Sequence, residues 1–447
     1  MVMSQDDYLY WGNNSYQPSR FILRLDLPIE LNSENDEVYQ NVHRMSLFVH
    51  EYIHFLQDIS TRYGLMKASN YYSSTKAIAH TIRERSEKTF KVPQDLNNRR
   101  VNDCIYQNYY VFRDYLGDGI IQDYKGRKIS VLGYRTQQRY RHEVVYVRLN
   151  IEGIGIREVL LGGEILCESM AYLAEKNYMD VRHLSMAPTH EYPYMLCSKL
   201  AEYIYMELSN DPCSLYLIID QCLYRYFNPG PAFVQVINYL KAAGYCSKSE
   251  HEKFLCLDTF WMHLKPELEN YNSIVNEVIR EVKHCFQDPE FAVTIRWLET
   301  LYYRCSFFRR YPYCFKGFMD KNNGLDSFAS QIHLYALGQP IVLNAAYEGI
   351  LQPPGHCFTY SETLQIHPEY FSAIFCLRNV FLNGQHGECL LKAFCTQSEK
   401  HTGECLIDGY CNQPWYKYTI SLADKKNLCP FAVVWKHWGL NDQCPKR

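Results

Sequence analysis

The chain has 447 residues, a formal net charge of −3 and 47% hydrophobic residues, long enough for two or three domains around a sizeable core. That charge balance argues against a generic nucleic-acid or anionic-membrane binder, and no stretch approaches the ~18 uninterrupted apolar residues of a membrane span. The opening M-V-M-S-Q-D-D-Y-L-Y-W lacks the basic and apolar regions of a secretory signal, so the expectation is a cytoplasmic protein whose 18 cysteines are mostly reduced thiols.

Residues 20–29 alternate, with Phe21, Leu23, Leu25 and Leu27 on one face and Arg20, Arg24 and Asp26 on the other, which predicts a half-buried strand ended by Pro28. A helix is expected over 36–63, with Asn35 as cap and Gly64 as stop, and another over 66–90. Residues 83–148 carry 14 Lys and Arg against 8 Asp and Glu, but the interleaved acids read as a solvated surface. From about 105 to 160 the pattern turns β-like, most clearly in Y-R-H-E-V-V-Y-V-R-L at 140–149. A further helix is expected over 163–178. Residues 192–317 then read as successive helices, interrupted at Asn228-Pro229-Gly230-Pro231 and near Gly244.

The aromatic and basic run Y-Y-R-C-S-F-F-R-R-Y-P-Y at 302–313 fits a core helix with arginines at its rim better than a base-stacking surface. Turn signals at Asn322-Asn323-Gly324 and Pro353-Pro354-Gly355 open a mixed tail with seven cysteines between 376 and 444. Their spacings lack the C-x2-C knuckle of a structural zinc site. The organisation expected is α+β and predominantly helical: a metal-binding region over 1–190, a helical region over 191–320 and a cysteine-rich region over 321–447.

The most informative stretch is L-F-V-H-E-Y-I-H-F-L-Q at 47–57. On a helical wheel, Val38, Val42, Met45, Val49, Tyr52, Ile53, Leu56 and Ile59 make a core-facing stripe. His50 and His54 lie about 40° apart on the other side, with few of the lysines and glutamates an exposed face carries. Imidazoles at i and i+4 can reach one Zn²⁺, and a glutamate directly after the first is placed to act as a base beside the metal. The related H-E-Y at 190–192 continues into Pro193 and lacks the second histidine.

A catalytic zinc needs a third protein ligand and an open position. Position 60 is Ser, which excludes the metzincin arrangement with a third histidine. Asp58 lies one turn beyond His54, better placed to bond a neighbour than to close the site. The stronger source is G-G-E-I-L-C-E-S-M-A-Y-L-A-E at 162–175, where Glu164, Glu168, Ala171 and Glu175 share a stripe of an otherwise apolar helix. Like charges at i and i+4 repel, and no Lys or Arg lies three or four residues from Glu168. A bound cation would supply the compensation.

In H-E-Y-I-H at 50–54 and E-S-M-A-Y-L-A-E at 168–175 the chain resembles the zincin metallopeptidases of the gluzincin type. The resemblance implies a zincin-like catalytic core with Zn²⁺ held by His50, His54 and Glu168. Glu51 would be the general base for a zinc-activated water attacking a peptide bond of a peptide or protein substrate. An alternative register makes Glu164 the ligand and Glu168 the partner of a histidine; Ala171 and Glu175, at +3 and +7, favour Glu168. His183, His190, Tyr192 and Tyr194 are the candidate oxyanion donors. The chain departs from the family in two respects. More than a hundred residues separate His54 from Glu168, and the G-x-M-E-N signature for a free amino terminus is absent, so aminopeptidase activity is not implied. Rival readings are a non-catalytic helical interaction protein that keeps a metal site, and a zinc-dependent hydrolase of a non-peptide amide.

Overall fold

The computed structural model describes residues 15–18, 21–25, 42–95, 112–118, 121–139, 142–184, 191–263, 271–287, 289–311, 313–320, 337, 340–343, 349–350, 368–384, 430–441 and 443–446. Helices dominate. The strand expected over 20–29 is described as β2 (Ile22–Arg24), antiparallel to β1 (Ser15–Gln17) and parallel to β7 (Ile341–Leu343), which pairs in turn with β8 (Gly349–Ile350). Residues beyond Leu25 in that expected strand, and the expected cap at Asn35, lie outside the described residues.

The first helix, α1 (Val42–Ser60), ends earlier than expected, and α2 (Arg62–Arg83) follows after a one-residue break. Thr61 makes the break by capping α2, its hydroxyl accepting from Gly64 N at 2.9 Å, which satisfies an orphan donor of the first turn. Gly64 is therefore not a helix stop. It sits inside α2, where an added Cβ would lie 2.3 Å from the Gln57 carbonyl oxygen, so its bare backbone lets α2 cross close over the end of α1.

The β-like region resolves into a meander of β4 (Ile129–Arg139), β5 (His142–Ile151) and β6 (Gly155–Leu161), antiparallel in the order β4-β5-β6. Alternate residues of β5, namely Val145, Val147, Leu149 and Ile151, are buried, as period-two patterning requires. The chain then enters α3 (Gly163–Val181), followed by α4 (Leu196–Ile204), α5 (Pro212–Arg225), α6 (Pro229–Ala242), α7 (Glu250–His263), α8 (Tyr271–Cys285) and α9 (Ala292–Phe308). The interruption expected at Asn228-Pro229-Gly230-Pro231 falls between α5 and α6, and the run opens α6 because Pro229 occupies the first helical position, where its missing N–H costs nothing.

Two helices of the tail, α10 (Pro368–Asn383) and α11 (Pro430–His437), pack on each other, and α10 also packs on α2. β9 (Cys444–Lys446) runs parallel to β3 (Thr89–Lys91). The pairings β2 with β7 and β3 with β9 thus join residues below 190 to residues above 320, and one hydrophobic cluster runs through all three stretches of the chain. Cys389, Cys395, Cys405, Cys411 and Cys429 lie outside the described residues; Cys167, Cys197, Cys222, Cys285, Cys305 and Cys376 are buried free thiols. No described helix is long and apolar enough to cross a membrane.

α1 lies at the centre, in contact with α2, α3, α5, α9 and β1. Its apolar stripe of Met45, Val49, Tyr52, Ile53, Leu56 and Ile59 is buried, and so are Phe48, Phe55 and the polar Ser46, His50, Glu51, Gln57, Asp58 and Ser60. α3 thus covers much of the histidine face, leaving His54 partly exposed.

Candidate metal centre

α3 begins where Gly162 and Gly163 let the chain turn from β6 against α2. A Cβ on Gly163 would meet the Tyr63 ring at 2.2 Å, so only glycine admits that ring. Tyr63 and Lys67, both on α2, then reach the first acidic residue of α3. The Tyr63 hydroxyl and Lys67 Nζ each donate to Glu164 Oε1 at 2.6 Å. Glu164 is committed to these partners. One turn further along, Glu168 faces α1.

Three donor atoms converge between α1 and α3. His50 Nε2 and His54 Nε2 lie 3.3 Å apart, and Glu168 Oε2 is 3.4 Å from the first and 3.5 Å from the second. Among the described residues, the cluster with metal-ligand chemistry comprises His50, His54 and Glu168. A tetrahedral ion at about 2.0–2.2 Å from each donor requires donors about 3.3–3.6 Å apart. The three edges fit that requirement.

The outer nitrogens fix how the imidazoles point. His50 Nδ1 is 2.9 Å from Glu175 Oε2, and Ser46 Oγ donates to the other Glu175 oxygen at 3.4 Å. His54 Nδ1 is 2.9 Å from Gln57 Oε1. The Gln57 amide nitrogen donates to the Cys167 carbonyl at 3.1 Å, which orients its oxygen toward the histidine. Both partners are acceptors, so both imidazoles carry a proton on Nδ1 and turn Nε2 toward Glu168. Acceptors of this kind are what orient histidine ligands at metal sites.

Glu51 is buried beside the cluster, and its Oε2 accepts the Tyr16 N–H at 2.5 Å. Burial pushes its carboxyl upward, against the pull of His50 and His54. Burial also disfavours charge on both histidines, but bonds from His50 to Glu168 and Glu175, and the charge of Glu168 beside His54, outweigh it and raise both. Burial would raise Glu168 as well, yet the facing imidazoles hold it far below the usual carboxylate range. The cluster is built to hold positive charge at its centre.

The other sequence candidates fall in different places. Asp58 Oδ2 accepts the Tyr16 hydroxyl at 2.8 Å, pinning β1 to α1, and it is not in the donor cluster. Glu164 is held by Tyr63 and Lys67. His183 is exposed just beyond α3 with φ 56°, and His190 lies outside the described residues. Tyr192 is fully buried and donates to the Asp118 carbonyl at 2.6 Å. Glu191 accepts the Ile129 N–H at 2.7 Å and pairs with Lys199 at 3.3 Å.

Tyr194 is the oxyanion candidate brought to the centre. Its ring stands edge-on to His50 with centroids 5.7 Å apart. Burial, and then Glu168, Glu51 and Glu175, push its hydroxyl far upward and keep it protonated. Lys125, which sequence reasoning missed, is half-buried and interacts electrostatically with Glu168 and Glu51; burial lowers its ammonium despite those charges. Its segment is held to that of Tyr194 by the edge-on contact of Tyr124 and Tyr192, centroids 5.6 Å apart. A lysine in an aperiodic turn gave no pattern to read. Gln57, three residues after His54, did offer one.

Comparison of the chain with family models, with curated proteins and with solved structures finds no match.

Proposed function

We propose that the chain is a zinc-dependent metallopeptidase. The observation that carries this reading is the near-equilateral triangle of His50, His54 and Glu168 donors with the Glu51 carboxylate buried beside it. His50, His54 and Glu168 would hold Zn²⁺, which when bound would supply a Lewis acid for a carbonyl and lower the pKa of a water. Glu51 takes the proton of the attacking water and delivers it to the leaving amine; its burial raises its proton affinity toward what a general base needs, and Tyr16 N–H fixes its orientation. Tyr194, kept protonated, would offer a hydrogen bond from its hydroxyl to the oxygen on which charge develops. Glu175 and Gln57 hold the two imidazoles in place.

The test begins with zinc per chain, measured by elemental mass spectrometry, and continues with cleavage of casein and of a peptide mixture. About one zinc and measurable cleavage are expected. Glu51→Gln should retain zinc and lose about 10²–10⁴-fold in hydrolysis. A Glu51→Gln variant as active as the parent would remove the base from the mechanism. Stoichiometric zinc without hydrolysis of any amide would leave a non-catalytic metal protein.

A further inference from the structure

The helix that carries the aromatic and basic run has two different faces. Its inner face, Leu298, Leu301, Tyr302 and Cys305, is buried, and Arg309, just past its end, is buried too. That face already meets the needs of the core. On the outer face Tyr303, Phe307 and Tyr311 are 48%, 52% and 62% exposed, although the sequence pattern had placed the aromatics of 302–313 inside. Tyr303 and Phe307, four residues apart, lie on one side of the helix, and Tyr311, past its end, continues the ridge by contact with Phe307. Phe307 touches Tyr311 edge-on at 6.3 Å between centroids, and the Arg310 guanidinium lies 5.6 Å from the Phe307 ring centre.

Arg296 and Arg304 are exposed and share with Tyr303 and Phe307 about 100° of the helical wheel; Arg310, past the helix end, is exposed beside Phe307. Among the residues of α9 itself no Asp or Glu falls in that arc; Glu299, beside it, is paired with Lys283. From Arg296 to Phe307 the ridge is about 17 Å long. On a chain of net charge −3, this is a cationic, aromatic strip with the tyrosine and arginine content of protein interface centres. A single strand of nucleic acid fits it less well. The rings of Phe307 and Tyr311 meet at 76° and those of Phe307 and Phe308 at 88°, so there is no parallel platform for successive bases, and the Tyr303 hydroxyl is bonded to Asn276 at 2.8 Å.

We infer that the outer face of α9 is the docking surface for an acidic, amphipathic segment of a partner protein, whose apolar side chains cover Tyr303, Phe307 and Tyr311 while its carboxylates face the arginines. The surface is independent of the metal centre, and the inference does not rest on peptidase activity.

The experiment places a photo-reactive benzophenone amino acid at position 307 of the full chain in cells that express it, and at exposed Leu132 as control. Adducts are digested and sequenced by mass spectrometry. The expected result is a cross-link from position 307, absent from position 132, to a protein segment rich in Asp or Glu interleaved with apolar residues. Combining the probe with Arg304→Glu and Arg310→Glu should reduce it at least ten-fold at an unchanged melting temperature. Adducts to nucleic acid, to a second copy of the chain or to a basic segment would overturn the inference. So would adducts that survive the double charge reversal, or none above the control.

Discussion

Glu175→Ala separates orientation of a ligand from ligation itself. The substitution leaves His50, His54 and Glu168 in place but removes the acceptor 2.9 Å from His50 Nδ1, so the ring is free to rotate and its other nitrogen loses basicity. Losses of this type weaken metal affinity about 10–100-fold, which corresponds to about 1.4–2.7 kcal/mol. Glu168→Gln removes a charged donor and should cost well over ~100-fold in zinc affinity. Glu164→Gln is the informative control. Its carboxylate serves Tyr63 and Lys67, so zinc affinity should stay within about two-fold while stability falls by roughly 1–3 kcal/mol as Lys67 loses its charged partner. Competition against a chromophoric chelator at fixed pH gives the affinities, and denaturant unfolding gives the stabilities. If Glu164→Gln cost as much zinc affinity as Glu168→Gln, the choice between the two glutamates would be wrong. If Glu175→Ala bound zinc like the parent, the orienting role would be wrong.

Three other outcomes are expected. Because His50 and His54 are raised above the usual imidazole range, the metal-free site holds protons near neutrality that zinc must displace; affinity should therefore rise with pH and binding should release protons. Calorimetry in buffers of different ionisation enthalpy measures that release, and an affinity constant from pH 6 to 8 would refute it. Arg309 grips both Asp220 oxygens at 2.8 Å and the Ser60 carbonyl at 2.9 Å, with side chains 2% and 0% exposed. Arg309→Met or Asp220→Leu alone should cost about 3–5 kcal/mol, and the double variant should recover much of it; singles costing under about 1 kcal/mol in urea unfolding would contradict this. Gly64→Ala forces a methyl group against the Gln57 carbonyl and should cost about 1–3 kcal/mol, read as a lowered melting temperature; an unchanged melting temperature would contradict the close crossing of α1 and α2.

The parts of the site carried by helical periodicity were legible before any coordinates. The stripe from Met45 to Ile59 fixes which way α1 faces, and that orientation brings His50 and His54 to one side. Glu168 and Glu175, seven residues apart, share a face of α3 for the same reason. What periodicity does not encode is which of two adjacent helices takes which carboxylate. Glu164 and Glu168 are both on the stripe, and only the crossing of α2, permitted by Gly163 against Tyr63, gives Glu164 to Lys67 and leaves Glu168 for the histidines. Tyr16 and Lys125 were illegible because a three-residue strand and a turn reach the site through tertiary packing. The same limit affected 302–313. The aromatics divide between two faces of α9, with Tyr302 in the core and Tyr303, Phe307 and Tyr311 outside.

Charge connects these features. Glu51, Glu168 and Glu175 converge on a site where burial penalises each uncompensated carboxylate. Lys125 contributes one cation toward Glu51 and Glu168, and the histidines contribute more by taking up protons. A divalent ion at the triangle would meet the same electrostatic demand from one point, freeing each Nε2 of its proton while the Nδ1 bonds to Glu175 and Gln57 remain. Protons and metal thus compete for one field of negative potential, built by carboxylates from two helices far apart in the chain. The fold sustains that field because the helix carrying His50 is anchored on its opposite side by its apolar stripe and at its end by Arg309. Repulsion among the acids cannot push α1 and α3 apart without first exposing that core.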